Sequence, residues 1–486
     1  MLLIPRRLSA SRRFPHLSWA WPSGSRELLV IAAAHADERR AAEAFVEWLA
    51  TTDIETCHFP EQRLLVRIAS RFPESRLSVS ERARLNGIVR LLWTKSRLTL
   101  DHATPVLKAL SAAGVEMLVL KGMALTALDM QNLKGRIAHD IDILIRVSDL
   151  PAALSILDEA GWRSARGESG LLLKQRGAAF RSLNFKKPPF GDIDLHTRAY
   201  LTTTRHNEAE VGIWSRSTRA SLLGIDVLVP SPPDRLANAI AHGVIDAHRH
   251  SDWLVDCAQL VGEGGIDWSM AETLVDALAV PAQATLVLLY LREVLGFSIP
   301  EATLASLWDR ARSSPGDYFK TLFLGYPRSQ HSLLTSAGRQ VFKKKHSAQV
   351  KAANAKGGPA GAAPGIQMRR VGAPRALPDA PAALRHRLAV KPGIPRCSIV
   401  LGIEGLGRAR RYVFEVNTSD RHLTQLRFKD LLGRKRLFLG AEIALPSDVA
   451  PEDIWVEARQ SGILPGLNPS EEQATFGPRP FRILVR

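Results

Sequence analysis

The spacing of apolar residues divides the chain into stretches with different periods. From Leu28 to about residue 112 they recur at intervals of three and four, as in Leu85, Ile88, Val89 and Leu92, which lines one side of a helix. This predicts helices over 26–50, 60–72, 78–95 and 101–114, with Ser78 and Glu81 spaced as a capping box. Between 113 and 230 the period changes. Residues 115–120 read as a short apolar strand, 123–132 as a helix, 141–145 as a second strand and 148–160 as another helix. Further strands are expected around 179–185, 191–196 and 225–229, the mark of a small mixed sheet among helices. Ser231 with Asp234 then opens a helical stretch, and a final series of short strands (398–401, 412–416, 436–439, 454–457 and 481–485) predicts an all-β module, a sandwich or barrel.

The expected fold class is therefore α+β (α/β): a core with a small mixed sheet, flanked by helical segments, plus a C-terminal all-β module after a disordered linker. Its divisions are a basic disordered leader (1–27), a helical N-terminal region (28–112), the core (113–230), a helical region completing it (231–340), a basic Ala/Gly/Pro linker (341–385) and the β-rich module (386–486). A chain of 486 residues suits several such parts.

Charge changes this picture only at its edges. The net charge is +17, but residues 343–396 hold twelve Lys/Arg against one acid, Asp379, and the leader holds five Arg against Glu27. The rest is nearly neutral, so the basic balance describes two flanks and not the folded body. Such an arm can add salt-sensitive, non-specific nucleic-acid contact, although a solvated linker is the simpler reading. Three scattered cysteines, Cys57, Cys257 and Cys397, exclude a disulfide scaffold and a structural zinc finger, and fit a cytoplasmic location. The longest apolar run, residues 28–34, is far short of the ~20 residues a membrane span needs.

The chemistry concentrates in two alternating strands. In His139-Asp140-Ile141-Asp142-Ile143 the two carboxylates share one face while the isoleucines take the other. Asp192-Ile193-Asp194-Leu195-His196 repeats the pattern. If the strands are neighbours, three carboxylates reach one place, where like charges repel unless a cation sits among them. Mg²⁺ (or Mn²⁺) fits such a set and leaves room for water and substrate phosphates, as in-line transfer at phosphorus requires. Upstream, Gly122 lies between a strand and a helix, where phosphate can approach backbone N–H groups, and Lys121 adds a point charge. Arg136 has two readings: a bidentate hold on a triphosphate, or an ion pair with Asp140 or Asp142. Asp192 competes with Asp194 because they share a face, and His196 is a candidate substrate contact. His242, His248 and His250 with Asp252 and Asp256 resemble a metal cluster, but their spacing favours a structural role or a turn. Trp48, Trp93, Trp253 and Cys257 read as core residues.

The segment VLKGMAL, Arg136 ahead of HDIDILI, DIDLH at 192–196 and RLANAIAHGVIDAHRHSDWLVDCAQL at 235–260 resemble a poorly characterised bacterial family of nucleotidyltransferases in the DNA polymerase β-type superfamily. The similarity runs from about Glu27 to Arg310 and leaves the C-terminal module unexplained. It implies that Asp140 and Asp142 bind metal, that Asp194 is the third carboxylate and the base, and that Lys121-Gly122 stand at the glycine turn beside the triphosphate. Where that turn usually continues with Ser or Gly, this chain has Met123. The expected function is metal-dependent transfer of an NMP group from an NTP, such as ATP, to an acceptor hydroxyl. Phosphoryl transfer on the same scaffold, or a catalytically inactive nucleotide-binding and recruitment protein, are the alternatives.

Overall fold

The computed structural model describes residues 16–72, 77–165, 168, 170–201, 203, 207–245, 251–326 and 336–342, and seven strand segments between 384 and 485. In chain order the first elements are α1 (Ser25–Ala34), α2 (Glu38–Thr51), α3 (Phe59–Arg71), α4 (Val79–Ala112), β1 (Leu118–Val119), α5 (Lys121–Leu128) and β2 (Ile141–Leu144). Next come α6 (Leu150–Glu159), β3 (Arg163–Ser164), α7 (Gly170–Arg176), β4 (Ser182–Lys187), β5 (Gly191–His196), α8 (Glu208–Gly212), β6 (Thr218–Leu222) and β7 (Ile225–Val229). The helices α9 (Pro232–Ile245), α10 (Asp252–Glu263), α11 (Trp268–Ala277), α12 (Pro281–Glu293), α13 (Glu301–Ser313) and α14 (Pro315–Gly325) follow. The last strands are β8 (Leu384–Arg387), β9 (Arg396–Glu404), β10 (Arg410–Asn417), β11 (His422–Lys429), β12 (Arg436–Ala444), β13 (Trp455–Ile463) and β14 (Arg482–Val485). Among the described residues, no helix is long and apolar enough to cross a membrane.

The chain folds as two compact units, Met1–Arg146 with Pro188–Gly358, and Val147–Lys187 with Pro359–Arg486. In the first unit the strands run β5-β2-β1-β7-β6. β2 pairs parallel to β5 and antiparallel to β1, β1 pairs parallel to β7, and β6–β7 is a hairpin. Leu223 and Gly224 turn that hairpin with φ of 57° and 77°, the left-handed pair a two-residue turn needs. Helices surround the sheet, and their buried faces join one core that includes Leu29, Leu64, Leu118, Leu236, Leu286 and Tyr290.

Local chemistry explains where this unit departs from expectation. The helix expected over 26–50 is two, because His35 turns extended and Asp37 caps α2, its carboxylate accepting from the N–H groups of Arg39 and Arg40. The pair expected over 78–95 and 101–114 is one 34-residue helix containing Pro105. Its polar Ser96 is not a break: it is fully buried, and its hydroxyl donates to Leu92 O (3.0 Å) and accepts from Ala138 N–H (3.0 Å). Ser78 and Glu81 form the expected capping box. The leader expected over 1–27 is corrected from residue 16 onward. Leu17 and Trp21 are buried, Trp21 Nε1 donates to Leu286 O (3.0 Å), and its ring packs edge-on against Tyr290. Residues 1–15 lie outside the described residues, as does most of the linker expected over 341–385.

In the second unit, Leu150, Leu154 and Leu157 bury one face of α6, with Leu150 and Leu154 over Gly177. β3 and β4 pair antiparallel. The C-terminal strands form two sheets, β11-β10-β13-β8 and β12-β9-β14, with every neighbouring pair antiparallel. His422 N–H donates to Gln175 Oε1 (2.9 Å), tying α7 to β11. Residues 147–187, expected inside the core, therefore group with the β-rich module.

Candidate active site

β2 and β5 run side by side in the parallel register that sets Asp142 opposite Asp194. Period-2 alternation buries Ile141, Ile143, Ile193 and Leu195 and sends the carboxylates to the other face. His196, wholly buried, places Nε2 2.9 Å from Asp142 Oδ1 and 3.3 Å from Asp194 Oδ2. One ligand atom each from Asp142, Asp194 and His196 lies within 4.8 Å of the others, close enough to share a metal ion. The carboxylates fit a divalent cation of the Mg²⁺ or Mn²⁺ kind, with the imidazole near enough to support them by hydrogen bonds or to add a nitrogen ligand.

Lys121 Nζ sits 2.5 Å from the same Asp142 oxygen. Burial works against its charge, but Asp142, Asp140 and Asp194 outweigh it and raise the ammonium's pKa. Burial likewise pushes Asp142 upward, and the Lys121 charge and the His196 hydrogen bond reverse this, holding it well below the usual carboxylate range. For Asp194 burial again opposes, and the His196 hydrogen bond and charge bring the pKa down. Asp140, one residue ahead of β2, keeps no such partner: burial first, then the charge of Asp142, raise it to about 6. Asp192 is partly buried and adds to the negative field at Asp140.

Lys121 holds a backbone φ of 53°, which non-glycine residues rarely adopt, at the first residue of α5. The neighbouring Gly122 is required by close approach: a Cβ there would meet the Arg136 guanidinium at 3.1 Å. Arg136 is bonded to neither Asp140 nor Asp142, the ion pair that was one of its two expected readings. Its Nε and Nη2 donate to the two Asp256 oxygens (2.8 and 2.9 Å) and its Nη1 to Asp252 (2.7 Å). Asp252 also pairs with Arg63 from α3. This knot of two arginines and two aspartates joins α3, the approach to β2 and α10. The partners lie 116 and 120 residues beyond Arg136, where no local pattern announces them.

These groups border a cavity of about 440 Å³ lined in part by Lys121, Gly122, Asp140, Asp142, Arg235 and His242. That volume falls within the usual range for small-molecule sites. The structure thus brings Asp140, Asp142, Lys121, Gly122, Arg136 and His242 to one cavity, with Asp194 and His196 beside Asp142. His248 and His250 lie outside the described residues. Trp48, Trp253 and Cys257 are buried, whereas Trp93 is 43% exposed, so it is not the core residue its helical spacing predicts.

A carboxylate pair on a mixed sheet thus stands beside a strand–Lys-Gly–helix turn. Residues 59–296, just under half of the chain, match the family described as uncharacterised nucleotidyltransferase. No curated protein matches the chain. Among solved structures, that of the antibiotic-resistance factor ANT(2'')-Ia matches at 12% identity, over 45% of this chain and 95% of that one, with a TM-score of 0.26.

Proposed function

We propose that the chain transfers a nucleotidyl group from an NTP to a hydroxyl of an acceptor, with Mg²⁺ or Mn²⁺ at Asp140, Asp142 and Asp194. The observation that carries this reading is the register that sets Asp142 beside Asp194. The metal, when bound, supplies positive charge to the triphosphate and to the developing pyrophosphate. Asp142 and Asp194 stay ionised at neutral pH and hold it, while His196 fixes both carboxylates from the buried side. Asp194 accepts the proton of the acceptor hydroxyl. The new bond joins that oxygen to the α-phosphorus, and the α–β bridging bond breaks to release pyrophosphate. Lys121, beside Asp142 at the cavity wall, would donate to a phosphate oxygen of the bound nucleotide.

One observation favours the alternative of a nucleotide-binding protein without turnover: Lys121 and His196 already compensate Asp142, so the chain supplies its own counter-charge there. Incubating the protein with Mg²⁺, α-labelled NTP and cell extract, beside an Asp140→Asn/Asp142→Asn variant, separates the readings. Label moved only by the wild type supports nucleotidyl transfer and reveals the acceptor class. Transfer from γ-labelled NTP alone means phosphoryl transfer, and tight Mg²⁺–NTP binding without product means a binding protein.

A further inference from the structure

Three arginines line the cavity, and two of them are committed: Arg63 and Arg136 share Asp252 and Asp256. The third, Arg235, stands in the first turn of α9, with no carboxylate bonded to it among the described residues. Its Nε and Nη1 are sealed from solvent and hydrogen-bond to nothing. The adjacent Asp234 is saturated by other groups: Arg216 takes both of its oxygens (2.8 and 2.6 Å), and the hydroxyls of Tyr200 and Ser231 donate at 2.6 and 2.5 Å. Burial lowers the guanidinium pKa from its ordinary value, only weakly countered by Glu263, but leaves an arginine charged at any physiological pH. A half-buried guanidinium with two donors left unpaired costs free energy, and a ligand that engages the guanidinium recovers it.

We infer that Arg235 is the residue that grips the non-transferred phosphates of the nucleotide, the β- and γ-phosphates of a metal–triphosphate. This rests on the nucleotidyl-transfer reading for its substrate, but on Arg235 for its geometry. Planar N–H pairs match phosphate oxygens, and the Asp142 site in the same cavity supplies the metal end of the same ligand. Arg136, held by two aspartates, does not do this work.

The test is equilibrium binding of Mg²⁺–tripolyphosphate, Mg²⁺–NTP and unphosphorylated nucleoside to the full chain and to Arg235→Gln and Arg235→Lys. The wild type should bind both polyphosphates, Arg235→Gln should bind them about ten- to a hundredfold more weakly, and Arg235→Lys should recover part of the loss. Nucleoside binding should not change. Because the arginine has no hydrogen-bonded partner among the described residues, Arg235→Gln should melt no lower than the wild type, whereas a structural arginine would leave a less stable protein. No tripolyphosphate binding by the wild type, or equal binding by Arg235→Gln, overturns the inference. Arg235-dependent tripolyphosphate binding without label transfer would sink the catalytic reading and leave this one standing. Transfer with an unchanged KM for NTP in Arg235→Gln would do the reverse.

Discussion

Two groups of charged residues border the same cavity, and they are built on opposite principles. Around Arg136, two arginines meet two aspartates, each guanidinium is bonded to a carboxylate, and the charges cancel. Around Asp142, three aspartates face one lysine and one histidine, and burial together with the excess of negative charge raises the Asp140 carboxyl to about 6. A balanced cluster needs nothing more and joins helices. An unbalanced one asks for a cation, and that separates a structural knot from a site of chemistry better than burial or residue type does.

The comparison is broken most directly at Arg136. Arg136→Ala removes the guanidinium bonded to both Asp252 and Asp256, and should cost about 3–5 kcal/mol of stability, read as a lowered denaturation midpoint. An unchanged midpoint would mean the knot holds nothing together. On the other side, Asp142→Asn should cut label transfer at least a hundredfold, about 2.7 kcal/mol in the barrier, with the secondary structure kept. Full activity would remove Asp142 from the metal site.

Asp140 sharpens the contrast because its sign is opposite. A carboxyl whose folded pKa lies above its ordinary value favours the fold when protonated, so its contribution falls as pH rises from about 4 to about 6. Asp140→Asn should therefore stabilise the metal-free protein at pH 7 by about 1–2 kcal/mol, with no gain below about pH 4. Added Mg²⁺ should raise the melting temperature of the wild type more than that of this variant, and metal affinity should fall below about pH 6. A destabilised variant at pH 7 would contradict the charge deficit. The smallest effect belongs to the far end of α4, where Ser78→Ala removes the capping box and should cost about 1 kcal/mol without touching transfer.

What the sequence revealed follows from the range of the forces. Alternation along β2 and β5 is a local pattern, so Asp140, Asp142 and Asp194 could be read from it directly, and the same holds for the Ser78 cap. Arg136 could not, since its partners come from a helix more than a hundred residues away, and the sequence offered only the nearer aspartates. The single helix α4 reads as two, over 78–95 and 101–114, because polarity along 96–100 does not say that the Ala138 N–H needs the buried Ser96 hydroxyl. β6, β8, β11 and the two-residue β3 were missed, being short or too polar along their length to stand out. The grouping of 147–187 with the β-rich module is tertiary, set by contacts such as His422 with Gln175, and no composition shift marks it.

Trp21 carries a practical lesson about where the folded chain can be cut. An arginine-rich opening invites trimming back to the first clear helix, Ser25–Ala34. Such a cut would pull out an indole that is 1% exposed, strand the Leu286 carbonyl it hydrogen-bonds, and open a hole beside Tyr290. Emptying a site of that size typically costs about 3–5 kcal/mol, a large share of what a domain has. A shortened version would then purify poorly and melt early, and its failure would be blamed on the enzyme when it belongs to the scissors.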